Sequence, residues 1–381
     1  MSVRPITIPT HRPYLGQEEL DAVRQVFESR WLGMGAVTKE FEKHLGEFLG
    51  APYVLTVNTG TAALHLALEV LDLQPGDEVI VPSLTFVSSV QAILAAGARP
   101  VFCEVSMETL TMDMEDVLRR VTSRTKAIMP VHYGGQACDL DRLLPWTKQQ
   151  KIWVVEDAAP AFGSTYKGRK IGTLGDITCF SFDPIKNITC VGGGAVVTNN
   201  EEIARITLTW RNVGIDSDSW TRFHGEQNWR YAVVSPGYRY QMGNLNAAIG
   251  LVQLQRFEAF RARKQAIVRM YDEAFRELNE LALVTRNLEE TFPFSYVVRV
   301  LNQRRDALMA YLRNRGIGTS VHFVPNHLQP RFSDFRAQLP VTEKLFAEVL
   351  TLPLYFEMTN AEVETVIRGV HTFFQGASAG E

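Results

Sequence analysis

A chain of 381 residues with 46% apolar and 21% charged side chains exceeds one ordinary domain, so two domains, or a large domain with a smaller one appended, are expected. A formal net charge of −3 gives no general attraction to nucleic acid or to an anionic membrane, so neither is expected as a partner. No run of about 18 apolar residues occurs and residues 1–9 lack the apolar stretch of a signal peptide, which excludes a membrane-spanning helix and points to the cytoplasm.

In chain order, residues 17–29 place Leu20, Val23, Val26 and Phe27 at helical spacing, and a second helix fits Thr38 to Leu49. From Tyr53, strand and helix alternate: Tyr53 to Val57 then Thr61 to Leu71, and Glu78 to Val81 then Phe86 to Ala96. Strands at Pro100 to Val105 and Lys126 to Val131 follow, then a helix at about Leu140 to Gln149 and a strand at Ile152 to Glu156. Apolar, β-rich runs separated by helices argue for an α/β fold whose mostly parallel sheet is covered on both faces. Ligands gather at the carboxyl ends of the strands in such sheets. Alternation through Cys179 to Asp183 and the run after Gly192-Gly-Gly read as two more strands leaving one turn. Asn244 to about Asn279 reads as one long helix bridging two domains. Beyond it, Pro293 to Leu301, a helix at Arg304 to Arg315, Gly318 to Phe323 and a last helix at Asn360 to Phe374 read as a smaller α+β unit. The expected division is a large domain over 1–250 and a small C-terminal domain over 251–381. The four cysteines, Cys103, Cys138, Cys179 and Cys190, have neither C-x-x-C nor metal-ligand spacing; they read as reduced, mostly buried thiols, and no metal site is expected.

Lys186 sits on the turn between the last two strands of the large domain. A lysine there is unfavourable unless it is paired, neutral or covalently used, which makes it a candidate nucleophilic amine; the bland reading is a side chain reaching solvent. Val57-Asn-Thr-Gly-Thr61 joins a strand to an apolar helix, and the free N–H groups at that helix start, with the Thr61 hydroxyl, suit a phosphate. His65, inside the same helix, reads as a satisfied core or interface residue. Phe86 follows another strand end and can stack on a flat ligand or fill the core. In Ile152-Trp-Val-Val-Glu-Asp157 a carboxylate ends an apolar strand and must meet a donor or a cation. Successive side chains point to opposite faces, so only one of Glu156 and Asp157 can face a site. A phosphate cradle, an aromatic plate, a buried acid and a buried lysine are together what pyridoxal 5′-phosphate (PLP) needs.

Thr59-Gly-Thr-Ala-Ala-Leu, Gly76-Asp-Glu-Val-Ile-Val-Pro-Ser, Glu156-Asp-Ala-Ala, Ser181-Phe-Asp-Pro-Ile-Lys-Asn-Ile and Gly237-Tyr-Arg-Tyr-Gln-Met-Gly-Asn resemble the DegT/DnrJ/StrS-type sugar aminotransferases, PLP enzymes of fold type I, in the same order from about Pro13 to Pro353. The resemblance implies a three-layer α/β/α large domain with a mostly parallel sheet and a smaller C-terminal α+β domain. By motif, Lys186 is the catalytic lysine that binds PLP as a Schiff base, and Asp157 partners the ring nitrogen. Gly60, Thr61 and Ser181 bind the phosphate, and Phe86 lies over the ring. The family completes its site from a second subunit, so a homodimer is implied, with Arg239 or Gln241 reaching the partner's phosphate. Pro160 departs from the glutamine or histidine common there, which leaves the cofactor's phenolic oxygen to another group or a water.

The reaction implied moves an amino group from glutamate, through pyridoxamine phosphate, to a nucleotide-linked keto-sugar, a 4-keto-6-deoxyhexose first, for surface glycan such as O-antigen or for natural products. His132 and Tyr133 in Val131-His-Tyr-Gly-Gly-Gln136, with Arg211, Arg230 and His322, are candidate substrate contacts; each of Arg211, Arg230 and His322 equally suits an ion pair. Alternatives are a 3-keto-sugar or keto-cyclitol as acceptor and, in another class, a PLP-binding regulator or idle partner subunit.

Overall fold

The computed structural model describes residues 5–217, 219–223 and 229–377. Nine strands precede the long C-terminal helices: β1 (Tyr53–Val57), β2 (Glu78–Pro82), β3 (Arg99–Cys103), β4 (Thr125–Ile128), β5 (Trp153–Asp157), β6 (Thr165–Tyr166), β7 (Arg169–Lys170), β8 (Ile177–Ser181) and β9 (Gly194–Thr198). Seven of them form one sheet in the order β1-β9-β8-β5-β4-β2-β3, and only β9 runs against its neighbours. β6 and β7 form a separate hairpin.

The sheet is buried on both faces, and single strands show the alternation that does this. Ile80 and Val154 join the core that also holds Phe41, Phe162 and Phe180, whereas Val79, Val81 and Val155 join the core under the helix Gly60–Glu69. Every residue from Ala62 to Leu68 in that helix is buried, as its continuous apolar run requires. The helices predicted near 17–29, 38–49, 61–71, 86–96 and 140–149 are present at Gln17–Ser29, Ala36–Leu49, Gly60–Glu69, Val87–Ala95 and Leu140–Gln150.

A second sheet, β10 (Leu281–Leu283), β11 (Tyr296–Val300) and β12 (Val349–Leu352), is antiparallel and packs with the helices Arg305–Arg313 and Asn360–Ala377. The start of the chain joins this C-terminal unit: Ile8 lies in its core, and Thr7 and Ile8 donate backbone bonds to Gly316 O at 2.8 and 3.0 Å. The single helix expected over 244–279 is two, Asn244–Gln255 and Phe257–Phe275, broken at Arg256. The Arg256 guanidinium is held by Glu18 at 2.5 Å and Glu19 at 2.8 Å, which fixes the break against the first helix. Phe257 and Phe260 then enter the large core while Ile267 to Phe275 enter the C-terminal one, so the second helix ties the two together. Gly318 to Phe323 is not a strand; a single bridge joins Ser320 to Thr351. No helix among the described residues is long and apolar enough to cross a membrane.

Candidate active site

A cavity of about 510 Å³, a size usual for small-molecule sites, opens where the carboxyl ends of β1, β2, β5 and β8 meet the C-terminal unit. Gly60, Thr61, Phe86, Tyr133, Asp157, Ser181, Lys186 and His322 all line it. These are most of the positions that the sequence singles out.

Lys186 is presented by the turn between β8 and β9. Asp183 shapes that turn, its carboxylate accepting from Ile185 N at 3.3 Å and its carbonyl from Lys186 N at 3.0 Å. The Lys186 ammonium lies 4.3 Å from the centroid of the Phe294 ring. Burial pushes its pKa below that of an ordinary lysine, and Asp157 and Asp183 offset this only in part. The neutral amine is therefore more accessible here than on a surface lysine.

Opposite it, Asp157 is buried at the end of β5. Ser89 Oγ donates to Oδ2 at 2.6 Å and Ala159 N to Oδ1 at 3.1 Å, so the carboxylate is fixed while both oxygens keep acceptor capacity. Thr85 is 2.9 Å from Ser89 Oγ and steadies it. The pleat turns Glu156 to the other face, where it accepts from His132 Nε2 at 2.8 Å, Gly175 N at 2.9 Å and Thr178 Oγ1 at 2.7 Å. Burial alone would raise its carboxyl pKa, but the His132 bond and the other donors bring it below the usual range. Of the two acids Asp157 faces the cavity and Glu156 holds the fold. Glu156→Ala strands three donors, two of them buried, and should lower unfolding stability by about 3–5 kcal/mol, read from urea denaturation.

The anion cradle is built at the start of helix Gly60–Glu69, whose cap Thr59 accepts from Ala62 N at 3.0 Å. Thr61 Oγ1 donates to Ser88 Oγ at 2.8 Å, which sets two hydroxyls side by side, and Ser181 stands across from Gly60. A Cβ on Gly60 would lie 2.7 Å from Ser181 Cβ, so only glycine lets the helix start come this close to β8. Phe86, 57% exposed, caps the helix Val87–Ala95 at the cavity edge, 5.8 Å from the Phe323 ring.

The structure removes two residues from the substrate set. His132 is 0% exposed and spends Nδ1 on Cys138 N at 3.1 Å and Nε2 on Glu156, so it orients an acid on the far face. Arg211 is also buried, bonded to Glu42 at 2.5 Å and to Thr56 O at 2.7 Å, where it pins β1. Tyr133 reaches the cavity with its ring, but its hydroxyl donates to the His322 carbonyl. His322 itself accepts from or donates to Thr351 Oγ1 at 2.8 Å, and burial, aided by the charge of Lys186, lowers its pKa to about 4, so it is neutral. Arg230 is exposed and outside the cavity lining, and residues 218 and 224–228 of its segment lie outside the described residues. Arg239 is exposed, and Gln241, paired in a bridge with Val57, donates to Met34 Sδ at 3.4 Å. Neither lines this chain's own cavity. His65 is satisfied by Tyr240 OH at 3.1 Å and Glu69 at 2.9 Å, as expected of a core histidine. All four cysteines are free and buried. Sequence reasoning missed Ser88 and Ser89; two adjacent serines opening an otherwise apolar helix were the available signal.

The model of the DegT/DnrJ/EryC1/StrS aminotransferase family matches residues 13–371. Among curated proteins, the chain is 37% identical to the spore coat polysaccharide biosynthesis protein SpsC of Bacillus subtilis, covering 97% of this chain and 98% of SpsC. Among solved structures, it is similar to the aminotransferase TlmJ of Streptoalloteichus hindustanus, with a TM-score of 0.92, 34% identity and coverage of 98% and 100%. It is also similar to the PLP-form of the putative sugar aminotransferase Spr1654 of Streptococcus pneumoniae, with a TM-score of 0.88, 31% identity and coverage of 95% and 97%. The residues present fit PLP: an amine with a lowered pKa, a fixed carboxylate, and a cradle so tight at Gly60 that a Cβ would fill it. The chain belongs to the DegT/DnrJ/EryC1/StrS aminotransferase family, and its cofactor is PLP.

Proposed function

We propose that this protein is a sugar aminotransferase that takes an amino group from glutamate and delivers it to a nucleotide-linked keto-sugar, with a 4-keto-6-deoxyhexose as the first candidate. The observation that carries this reading is Lys186 and Asp157 opening on one cavity beside a helix start. The names of the relatives SpsC and Spr1654 support the sugar class.

Bound PLP supplies an aldehyde that takes up the donor's nitrogen and a ring that accepts electrons from the donor's α-carbon. Lys186, released as a neutral amine, removes the proton at that carbon and returns it in the reverse sense to the sugar. Asp157 would accept the ring N–H, and an anionic acceptor there would keep the nitrogen protonated. Gly60, Thr61 and Ser181 would hold the phosphate, and Phe86 would lie against the ring. His322, neutral and lining the cavity, offers the acceptor sugar a hydrogen-bond partner. With Pro160 lacking a donor, the cofactor's phenolic oxygen falls to a water or another group.

Two copies complete the site in this reading. Arg239 and Gln241 stand outside their own cavity, and the neighbouring Trp229, Tyr231, Val233 and Val234 are exposed apolar side chains suited to a second subunit.

The test is mass spectrometry of products from UDP-, dTDP- and GDP-linked keto-sugars incubated with the PLP-loaded protein and glutamate. The expected product carries an amine where the substrate has its keto oxygen. A visible band that no amino donor shifts, with no sugar converted, would leave the idle partner subunit standing instead. Conversion of 3-keto-sugars or keto-cyclitols alone would keep the enzyme and move the position aminated.

A further inference from the structure

A second lysine, Lys264, is buried behind Lys186 and has no part in the chemistry above. It projects from the bridging helix Phe257–Phe275 and is 6% exposed. Its Nζ donates to Asn187 Oδ1 at 3.1 Å. Asn187 is locked in turn, Nδ2 donating to Phe292 O at 3.1 Å and to Phe162 O at 3.4 Å, so its oxygen must face the lysine. No carboxylate among the described residues answers the charge; the one charged group acting on Lys264 is Lys186. Lys186, Asn187, Lys264, His11 and Arg12 together line a small cavity of about 20 Å³, room for a single water.

We propose that Lys264 is a positioning residue for Lys186: through Asn187 it fixes the turn that presents the reactive amine, and through the shared pocket its charge opposes protonation of that amine. Other groups facing the pair do not cancel this effect. Burial, reinforced by Lys264, keeps His11 neutral down to about pH 3, and His322 is neutral above about 4. Arg12 lies over the Tyr355 ring, while Asp157 and Asp183 act from the cavity side of Lys186. Burial first, then the charge of Lys186, lowers Lys264 to about 7. Two amines in one dry pocket titrate as a pair: the first proton is held readily and the second is resisted. With Lys186 charged it is Lys264 that gives up its proton first; once the Lys186 nitrogen is neutral that repulsion is gone, Lys264 keeps its proton, and its charge opposes protonation beside it.

This inference rests on Lys186 being the cofactor-bearing amine. Its test is a spectroscopic pH titration of the PLP-loaded protein, following the visible band that reports protonation at the Lys186 nitrogen. Lys264→Met removes the opposing charge and should move the transition up by at least about one pH unit, the effect of a charge roughly 12 Å away at an effective dielectric near 20 and a lower bound for a closer one. Lys264→Arg keeps the charge at every pH and should leave the transition at or below its wild-type position. A Lys264→Met protein that binds PLP and titrates with the wild type overturns the proposal, as does an upward move in Lys264→Arg, which decides the matter alone if the Met variant does not fold. Failure of the underlying assignment has a different signature, a wild-type visible band surviving in Lys186→Ala.

Discussion

Lys186→Ala is expected to lower kcat by about 10⁴-fold or more and to yield protein without the wild-type visible absorption. Two functions leave with one side chain, the covalent hold on PLP and the base that moves the donor's proton. No neighbour can substitute. His322 is neutral and bonded to Thr351, and Lys264 is committed to Asn187. Because burial depresses the Lys186 ammonium, the working neutral form appears as pH rises through that lowered pKa. The wild-type kcat should therefore rise with pH and level off below the range of an exposed lysine, near 10.4. Lys167→Ala is the matched control, since Lys167 is exposed on the β6–β7 hairpin and paired with Asp141. Lys170→Ala removes a contact 3.7 Å from the Phe48 ring centroid and should alter stability by about 1 kcal/mol without touching kcat. Steady-state kinetics and absorption spectra on the three variants check the set.

Asp157→Asn carries the second large effect, a fall in kcat of about 10²- to 10⁴-fold with the fold intact. The amide is isosteric: its single oxygen can keep the bond from Ala159 N, while the NH2 in place of Oδ2 can donate to Ser89 Oγ, a hydroxyl able to accept. What is lost is the negative charge that keeps a ring nitrogen protonated and so lets the ring draw electrons from the α-carbon. A cofactor methylated at that nitrogen bears the charge permanently and should restore part of the lost rate in Asp157→Asn while giving the wild type nothing. No restoration would assign Asp157 to the fold alone, as for Glu156.

The alternation of strand and helix made the seven-stranded sheet legible, because parallel strands buried on both faces must be continuously apolar and their ends must carry the polar residues. Lys186, Thr61 and Phe86 stood out for that reason, whereas Gly60, Ser181 and the choice of Asp157 came from the family resemblance; all six line one cavity. His132 and Arg211 were misplaced for the converse reason. A buried histidine or arginine in sequence looks the same whether it faces a ligand or holds an acid, and only the partners, Glu156 and Glu42, tell them apart. The pleat gave one acid of the pair to each face but not which, and the break at Arg256 was hidden because its cause, Glu18 and Glu19, lies more than 200 residues earlier. Lys264 had no local signal at all, since nothing in Arg261-Ala-Arg-Lys264 separates the one buried cation from its half-buried neighbours.

Thr7 is paired with Gly316 across a sequence separation of 309. As the polypeptide leaves the ribosome this segment has nowhere to dock, and it must wait for nearly the whole message to be read. His11 and Arg12, which travel with it, close the rear wall behind Lys186 only after that docking. The cofactor pocket is therefore finished by an early segment docking last, and a nascent protein halted before residue 316 would present the lysine with its back open to water.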